Sequence, residues 1–518
     1  MSPKRTILIV GGGTAGWLSA AYLARYLEIQ EHSHIDIALV ESPDIGIVGV
    51  GEGTFPTIRN TLKFLGIDEA QFMRQTTATF KQGIRFNDWV KTPQNGSHET
   101  YFHPFEAPFY TEGAGLVPYW LLQDEEARLP FAQAMTFQKR VAEAQRAPKR
   151  PHEGDFAGPL NYAYHFDATR LAEVLAERAK ALGVRHMQGN LRHVELDVNG
   201  AIDHIVTDGQ GELHADLYID CTGFRAELIG RALNAPFKSV RHILFTDRAV
   251  ACKVPYDKPD APIESYTVAT AHPAGWTWDI GLNGARGIGY VYSSDYCSDD
   301  EAEGLLRRYV GKADLKTRLI PFEPGYRRQQ WVKNCVAVGL SAGFLEPLES
   351  TGVVLIEVAV SMIAELFPHN GPVDAPAARF NDLIAQRFDN ITNFLKLHYC
   401  LSQRTEPFWR DNTKAATIPE RLRDLLEQWK FRPPGRYDFI LDLESFAFFN
   451  YQYILYGMGF RTDLSNVRDH YPNVEQADKI FARIRNFGER ATLDLPSHRV
   501  LLQQIYEGGF RDSLKTPA

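Results

Sequence analysis

Cysteine is scarce in this chain. The five (Cys221, Cys252, Cys297, Cys335 and Cys400) are odd in number and never spaced as CxxC. That pattern argues against a disulfide framework or a cysteine zinc site, so no metal is expected and a reducing cytoplasm is the expected setting. Basic blocks are also missing, and the net charge is −8. Nucleic acid is therefore not an expected partner. No apolar run reaches membrane-spanning length; Val353 to Phe367 is too short and carries Glu357 and Glu365. Met1-Ser2-Pro3-Lys4-Arg5 leads straight into a strand rather than an apolar leader, so no signal peptide is expected. Internal repeats and low-complexity segments are absent as well. What is present is an ordinary globular composition, 44% hydrophobic and 23% charged. Its length suits roughly two or three domains, or one large core with an added lobe.

Thr6 to Val10 reads as a buried strand, Gly11-Gly12-Gly13-Thr14-Ala15-Gly16 as a turn and Trp17 to Leu27 as a helix. A second strand, Ile35 to Val40, ends at Glu41. Strand, glycine turn, helix, strand and acid form the first unit of a dinucleotide-binding fold. Gly11, Gly13 and Gly16 permit close approach of a pyrophosphate, whose charge the helix start attracts, and Glu41 can hold a ribose hydroxyl. Ile219-Asp220-Cys221-Thr222-Gly223 resembles the strand-end motif that flavin oxidoreductases place beside the same cofactor. Cys335-Val336-Ala337-Val338-Gly339 resembles the late strand running under the flavin. Three such elements in this order indicate FAD rather than NAD. No second glycine turn opens a helix, since Gly281, Gly284, Gly287 and Gly289 lie in strand-rich sequence. Reducing equivalents are therefore expected from another protein.

Phe80 to Trp89 alternates like a strand, which would put Lys81, Gly83 and Arg85 on one face. Residues 104–160 read as an insertion around one helical stretch, Phe131 to Gln145. Asp167 to Leu182 reads as an amphipathic helix. Strands recur from His186 to Ile219 and through 240–295, which includes Trp276-Thr277-Trp278-Asp279-Ile280. Helical patterns dominate from about Ala377. The expected fold is mixed α/β (α+β): an FAD-binding Rossmann-type (GR2-like) domain with an inserted substrate-side β-sheet and a mostly helical C-terminal lobe. Its expected division is 1–370 and 371–518.

Glu346-Pro347-Leu348-Glu349-Ser350-Thr351-Gly352 precedes the apolar run. It places two carboxylates where water is scarce, and it offers backbone N–H groups at a helix start, a ready anion site. With this turn, Lys81 in Thr79-Phe80-Lys81-Gln82-Gly83 and the Trp276/Trp278 pair, the chain resembles the flavin-dependent halogenases, the tryptophan-halogenase family. The likeness runs over essentially the whole length, with Gly281 standing in place of the proline of the family's WxWxIP signature.

The resemblance implies that FAD, as FADH2, works with oxygen and a halide (chloride or bromide) to yield hypohalous acid, which moves through an internal tunnel to an aromatic small molecule. It implies that Lys81 hydrogen-bonds that oxidant or forms a haloamine with it. Glu349 becomes the catalytic carboxylate, Ser350 links tunnel and flavin site, and Thr351 and Gly352 offer amides to halide. Cofactor contacts extend by the same resemblance to Thr14, Ala15, Gly51, Asp220, Gly223, Gly339 and Leu340. A flavin reductase would supply FADH2, and a homodimer is compatible with the family. The chemistry is physically coherent. A protonated amine makes the halogen more electrophilic, and aromatic substitution needs a base only at its end.

Phe102-His103-Pro104-Phe105 resembles the segment that stacks an indole in tryptophan-using members, which nominates His103 and Phe105 for an aromatic clamp. Members acting on free tryptophan also use an adjacent tyrosine pair and a nearby glutamate. Here Tyr451 and Tyr453 are not adjacent, and no acid follows before Asp463. The expected substrate is therefore indole or a larger indole- or phenol-containing molecule. Two alternatives would use the same cofactor site. A flavin-dependent aromatic monooxygenase needs neither Lys81 nor Glu349. A non-catalytic flavin-binding protein would have no use for them or for the tryptophan pair.

Overall fold

Runs such as Ile7-Leu8-Ile9-Val10 and Ala38-Leu39-Val40 have no polar face, so they suit strands covered on both sides. In the computed structural model, which describes residues 4–32, 34–46, 51–111 and 114–508, they form the centre of a six-stranded sheet. Its order is Arg185–Gln188, Ile35–Glu41, Arg5–Val10, Leu217–Asp220, Cys335–Ala337 and Trp331–Val332. All neighbours are parallel except the last pair. Val10 stands level with Val40 and with Asp220, and Asp220 level with Ala337. The carboxyl ends of four neighbouring strands thus bring the glycine turn, Glu41, the Asp220–Gly223 turn and Gly339 to one sheet edge. In open α/β sheets that edge is where ligands bind.

The helix Thr351–Leu366 belongs to the same unit and is apolar on nearly every side, as a core helix must be. Of its two acids, Glu365 is exposed and Glu357 is buried. Glu357 accepts hydrogen bonds from Thr57 Oγ1 (2.8 Å) and from Thr61 Oγ1, both on the helix Thr57–Leu65. Burial pushes its carboxyl up to about 7, and the two threonines oppose that shift.

A second sheet has seven strands in the order Thr317–Pro321, Arg248–Pro255, Ala285–Tyr292, Gly275–Leu282, Thr267–His272, Gly83–Asn87 and Thr100–Pro104. Only Thr267–His272 and Gly83–Asn87 run parallel. The helices Pro407–Asn412, Glu420–Trp429, Phe448–Gly457, Val474–Asp494 and His498–Gly508 make the C-terminal part mostly helical, as expected. Among the described residues, no helix is long and apolar enough to cross a membrane.

Three details depart from the sequence reading. The residues group into two compact units that interleave along the chain, one of 1–78, 166–241 and 322–389, the other of 79–165, 242–321 and 390–518. A single cut at 370 misses this, because the strands that pair are far apart in sequence. The strand read from Phe80 to Trp89 breaks at Gln82, whose N–H donates to Ser265 O (2.7 Å). Thr79–Lys81 then pairs with Ala163–Phe166, while Gly83–Asn87 joins the seven-stranded sheet, so Lys81 and Arg85 do not share a face. Gly83 permits the break. Its φ is +156°, and a Cβ there would come 2.4 Å from His103 O. Finally, the helix read over Phe131–Gln145 is two short ones, Phe131–Met135 and Gln138–Glu143, separated at Thr136 and Phe137.

Candidate active site

The glycines of the first turn divide into two kinds. Gly11, with φ +114°, could not carry a Cβ without meeting Cys221 O at 2.3 Å, and a Cβ on Gly16 would lie 1.8 Å from Gly11 O. These two serve the packing of the turn. A Cβ on Gly13 would meet no protein atom within 4 Å. Gly13 is also the N-cap of the helix Thr14–Tyr26, which has no side-chain cap and no acid in its first turn. The amides of Thr14 and Ala15 thus sit at a positive helix end with room for an anion in front. Gly339 packs against Ala15 from the neighbouring strand end, at 2.7 Å from a notional Cβ, and Leu340 follows it in a half-buried turn. Gly51 has φ +108° and Gly223 +69°. A Cβ on Gly223 would also meet nothing within 4 Å.

Glu41 ends its strand beside this turn. Its Oε1 lies 2.7 Å from His186 Nε2, and its Oε2 fills the place a Cβ on Gly12 would need. Gly12, passed over in the sequence reading, is thus required by Glu41. Asp220 corrects an expectation. It is fully buried, and its carboxylate accepts from Thr222 N–H (2.9 Å), Thr222 Oγ1 (2.6 Å), Leu228 N–H (3.0 Å) and Ile229 N–H (2.8 Å). Burial pushes its carboxyl up and these bonds oppose that. With both oxygens committed, Asp220 shapes the turn at the sheet edge and is not itself the cofactor contact it was read as. An uncapped helix start, a glycine open to an anion and an acid at the next strand end suit FAD. Gly13, Thr14, Ala15 and Glu41 would hold it.

The carboxylate turn lies in the same unit. Glu346, Glu349 and Thr351 are buried and Ser350 half-buried. The backbone is left-handed twice in succession, at Glu349 (φ 63°) and Ser350 (φ 57°). Side chains with a Cβ resist that region, at a cost of about 1–3 kcal/mol each. Ser350 caps Thr351–Leu366 without a side-chain bond, and a Cβ on Gly352 would meet nothing within 4 Å. A second open, uncapped helix start results, suited to a small anion.

Lys81, in the other unit, has no exposed surface. Its Nζ stands 5.4 Å from the centroid of the Phe105 ring, a cation–π contact. The strand that carries it is fixed on both sides. Thr79 Oγ1 donates to Gly281 O (2.5 Å), and Phe80 N–H donates to His498 Nε2 (3.3 Å). His498 Nδ1–H donates in turn to Ile263 O (2.8 Å), and burial lowers this imidazole to about 4. His165, 2.9 Å from Thr267 Oγ1, is also held well below the ordinary range, by burial first and the charge of Lys81 second. Lys81 therefore has neutral histidines for neighbours.

Trp276 and Trp278 share a face of their strand at 6.4 Å between rings, with Trp278 lying over Gly289. Their Nε1 atoms are buried without a hydrogen-bond partner. At Gly281 a Cβ would come 2.7 Å from Ile263 Cγ2 and 2.9 Å from the Tyr256 hydroxyl oxygen, so the space a proline would need is already filled. His103 Nε2 is 2.9 Å from Asn450 Oδ1, and its ring is 6.1 Å from that of Tyr453. Tyr453 donates its hydroxyl to Glu106 O (3.0 Å). Tyr451 is a correction. Its ring is buried among Phe439 (4.5 Å), Phe394 (4.8 Å) and Trp429 (5.6 Å), which is core packing rather than a substrate clamp.

Set beside known proteins, residues 6–473 match the tryptophan halogenase family model. The chain belongs to that family. It is 38% identical over 477 residues to tryptophan 6-halogenase SttH of Streptomyces toxytricini, covering 88% of this chain and 89% of the relative. To tryptophan 7-halogenase RebH of Lentzea aerocolonigenes it is 35% identical over 529 residues, covering 96% and 98%. The crystal structure of a tryptophan halogenase from Shewanella frigidimarina NCIMB 400 matches with a TM-score of 0.93 at 38% identity, over 98% of this chain and 99% of that one. BrvH, a flavin-dependent halogenase from Brevundimonas sp. BAL3, gives 0.86 at 33%, over 97% and 99%.

Within this halogenase, His165 and His498 escaped the sequence reading. His498 is 418 positions from Phe80 and belongs to no motif, so only the fold reveals it. Its folded pKa lies below the unfolded value, so the stability tied to neutral His498 is present above about pH 6.5 and lost as pH falls through about 4. His498→Gln should shrink that acid loss by about 3 kcal/mol, as read by urea unfolding between pH 7.5 and 4. An unchanged acid limb would contradict the tautomer described. At the glycine turn, Gly16→Ala should abolish stable folding. Gly13→Val should leave unfolding within about 1 kcal/mol of wild type while weakening FAD binding at least tenfold, followed by flavin fluorescence titration.

Proposed function

We propose that this protein is an FADH2-dependent halogenase that uses oxygen and chloride or bromide to form hypohalous acid and halogenates an electron-rich ring. The observation that carries the reading is the fully buried Lys81 on a strand pinned by Thr79 and His498. A lysine is almost never buried without a task for its charge. When bound, the reduced flavin would supply two of the electrons that reduce oxygen, and the halide supplies the other two as it is oxidised.

The residues of the chain do the rest. Gly13, Thr14, Ala15 and Glu41 hold the cofactor, with Gly51, Gly223, Gly339 and Leu340 lining it. Thr351 and Gly352 offer amides to halide, and Ser350 sets their direction. Lys81 donates a proton to the oxygen of the hypohalous acid, or carries the halogen as a haloamine after release of water. The ring then forms its carbon–halogen bond, displacing water from the hypohalous acid or the Lys81 amine from the haloamine, and Glu349 accepts the ring proton. His103, Phe105 and Tyr453 position the ring by stacking. Tyr451 and Tyr453 do not form an adjacent pair, which supports indole or a larger indole- or phenol-containing substrate over free tryptophan. A separate flavin reductase supplies FADH2, and the protein works in the cytoplasm, as a monomer or homodimer.

Purified protein, a flavin reductase, oxygen and bromide should convert indole to a brominated product. Hydroxylated indole formed equally without halide would favour the monooxygenase instead. Lys81→Ala should abolish bromination yet keep FAD binding, and Glu349→Gln should slow it by on the order of 100-fold or more. Wild-type rates in either variant would remove its proposed role.

A further inference from the structure

Cysteine is only one of the residues that zinc takes as a ligand. Histidines tell a different story on the three-stranded sheet of Leu191–Leu196, Ile202–Thr207 and Gly211–Leu213, part of the cofactor-side unit. Ile205 stands opposite Leu213 and Val206 opposite Glu212, so the same register puts His204 opposite His214. Period-two alternation then brings His204, His214 and Glu212 to one face. One ligand atom each from Asp203, His204 and His214 lies within 4.8 Å of the others.

The hydrogen bonds specify which atoms are available. His204 Nδ1 is 2.7 Å from Asp203 Oδ2, and His214 Nδ1 is 3.2 Å from Asp203 O. Each Nδ1–H donates to an oxygen of Asp203, which leaves Nε2 of both rings as the atom with a lone pair. Both Nε2 atoms flank one carboxylate, with His204 3.9 Å from Glu212 Oε1 and His214 3.9 Å from Glu212 Oε2. That is too long for a hydrogen bond. Zinc–ligand bonds are about 2.0–2.1 Å, so the three side chains would have to close around one ion to bind it. The frame beneath is firm. The buried Tyr218 donates its hydroxyl to Asp203 O and Leu213 O, both at 3.2 Å, and accepts from Ala215 N–H at 3.0 Å.

We infer that His204, His214 and Glu212 form a binding site for a divalent transition ion of the zinc class, with Asp203 orienting both imidazoles. Nitrogen donors beside one carboxylate select zinc, nickel or copper over magnesium or calcium. The neighbouring charges suit a cation. Glu195 stands opposite His204, and His193 is itself paired with Glu195 at 2.8 Å. Solvent reaches the site, since the His214 and Glu212 side chains are 61% and 66% exposed. Protons compete for the same nitrogens, because only a neutral imidazole can hold a metal ion. Binding therefore weakens as pH falls. A bound ion would tie the two strands of the hairpin together, apart from the halogenation chemistry.

The test is calorimetric titration of the full-length, chelator-treated protein with zinc chloride at pH 7.5. One ion per chain should bind with a dissociation constant on the order of 1–10 µM, weakening at least about fivefold at pH 6.0. His204→Ala with His214→Ala should lose that site by at least about tenfold, Glu212→Gln should weaken it, and His193→Ala should leave it unchanged. Cobalt should give a visible ligand-field band in wild type only. Unfolding in EDTA checks that the variants fold, and His214→Gln alone serves if the double variant does not. No wild-type site tighter than about 100 µM, or equal binding in the double variant, would overturn the inference.

Discussion

Two successive left-handed residues, Glu349 and Ser350, are the constraint on which the proposed chemistry rests. Left-handed backbone at both positions keeps them out of the helix, which begins at Thr351. Glu349 is buried there, and the helix start has no side-chain cap and an open Gly352. Such a turn costs about 1–3 kcal/mol per residue. The helix behind it offsets that cost, because Val353, Val354, Val360 and Ile363 are all deeply buried. Each fully buried side chain of this kind contributes about 1.5–3 kcal/mol. Strain at the site and apolar burial beside it are therefore two halves of one arrangement.

The same logic governs the ionisable groups. Lys81 is buried with histidines held neutral by their surroundings, and Glu357 is buried against two threonine hydroxyls. Their acid–base behaviour pulls in opposite directions. The His498 contribution is lost toward acid. Glu357, whose folded pKa is raised, contributes fully below about 4.5 and loses its contribution as pH rises through about 7. These two groups alone place the stability maximum between those limits.

Much of the fold was legible because it depends on local patterns. The apolar runs named the central parallel strands, the amphipathic pattern of 167–182 marked the helix Ala168–Ala181, and the glycine turn announced the first βαβ unit. Illegible were features set by partners far away in sequence. Alternation across Lys81, Gly83 and Arg85 implied one face, yet Ser265 draws Gln82 aside and divides the strand. Asp220 looked like a ligand contact, but backbone amides up to nine positions downstream occupy it. Tyr451 carried the same aromatic signature as a substrate clamp, and only its neighbours Phe394, Trp429 and Phe439 identify it as core.

If the turn at Glu349 is strained for the sake of its carboxylate, glycine there should relieve the strain and remove the function together. The direct measurement is Glu349→Gly, read in parallel by urea unfolding and by brominated indole formed. The expected result is an unfolding free energy raised by about 1 kcal/mol, FAD still bound and no detectable bromination. A variant that is less stable than wild type and still brominates would contradict it.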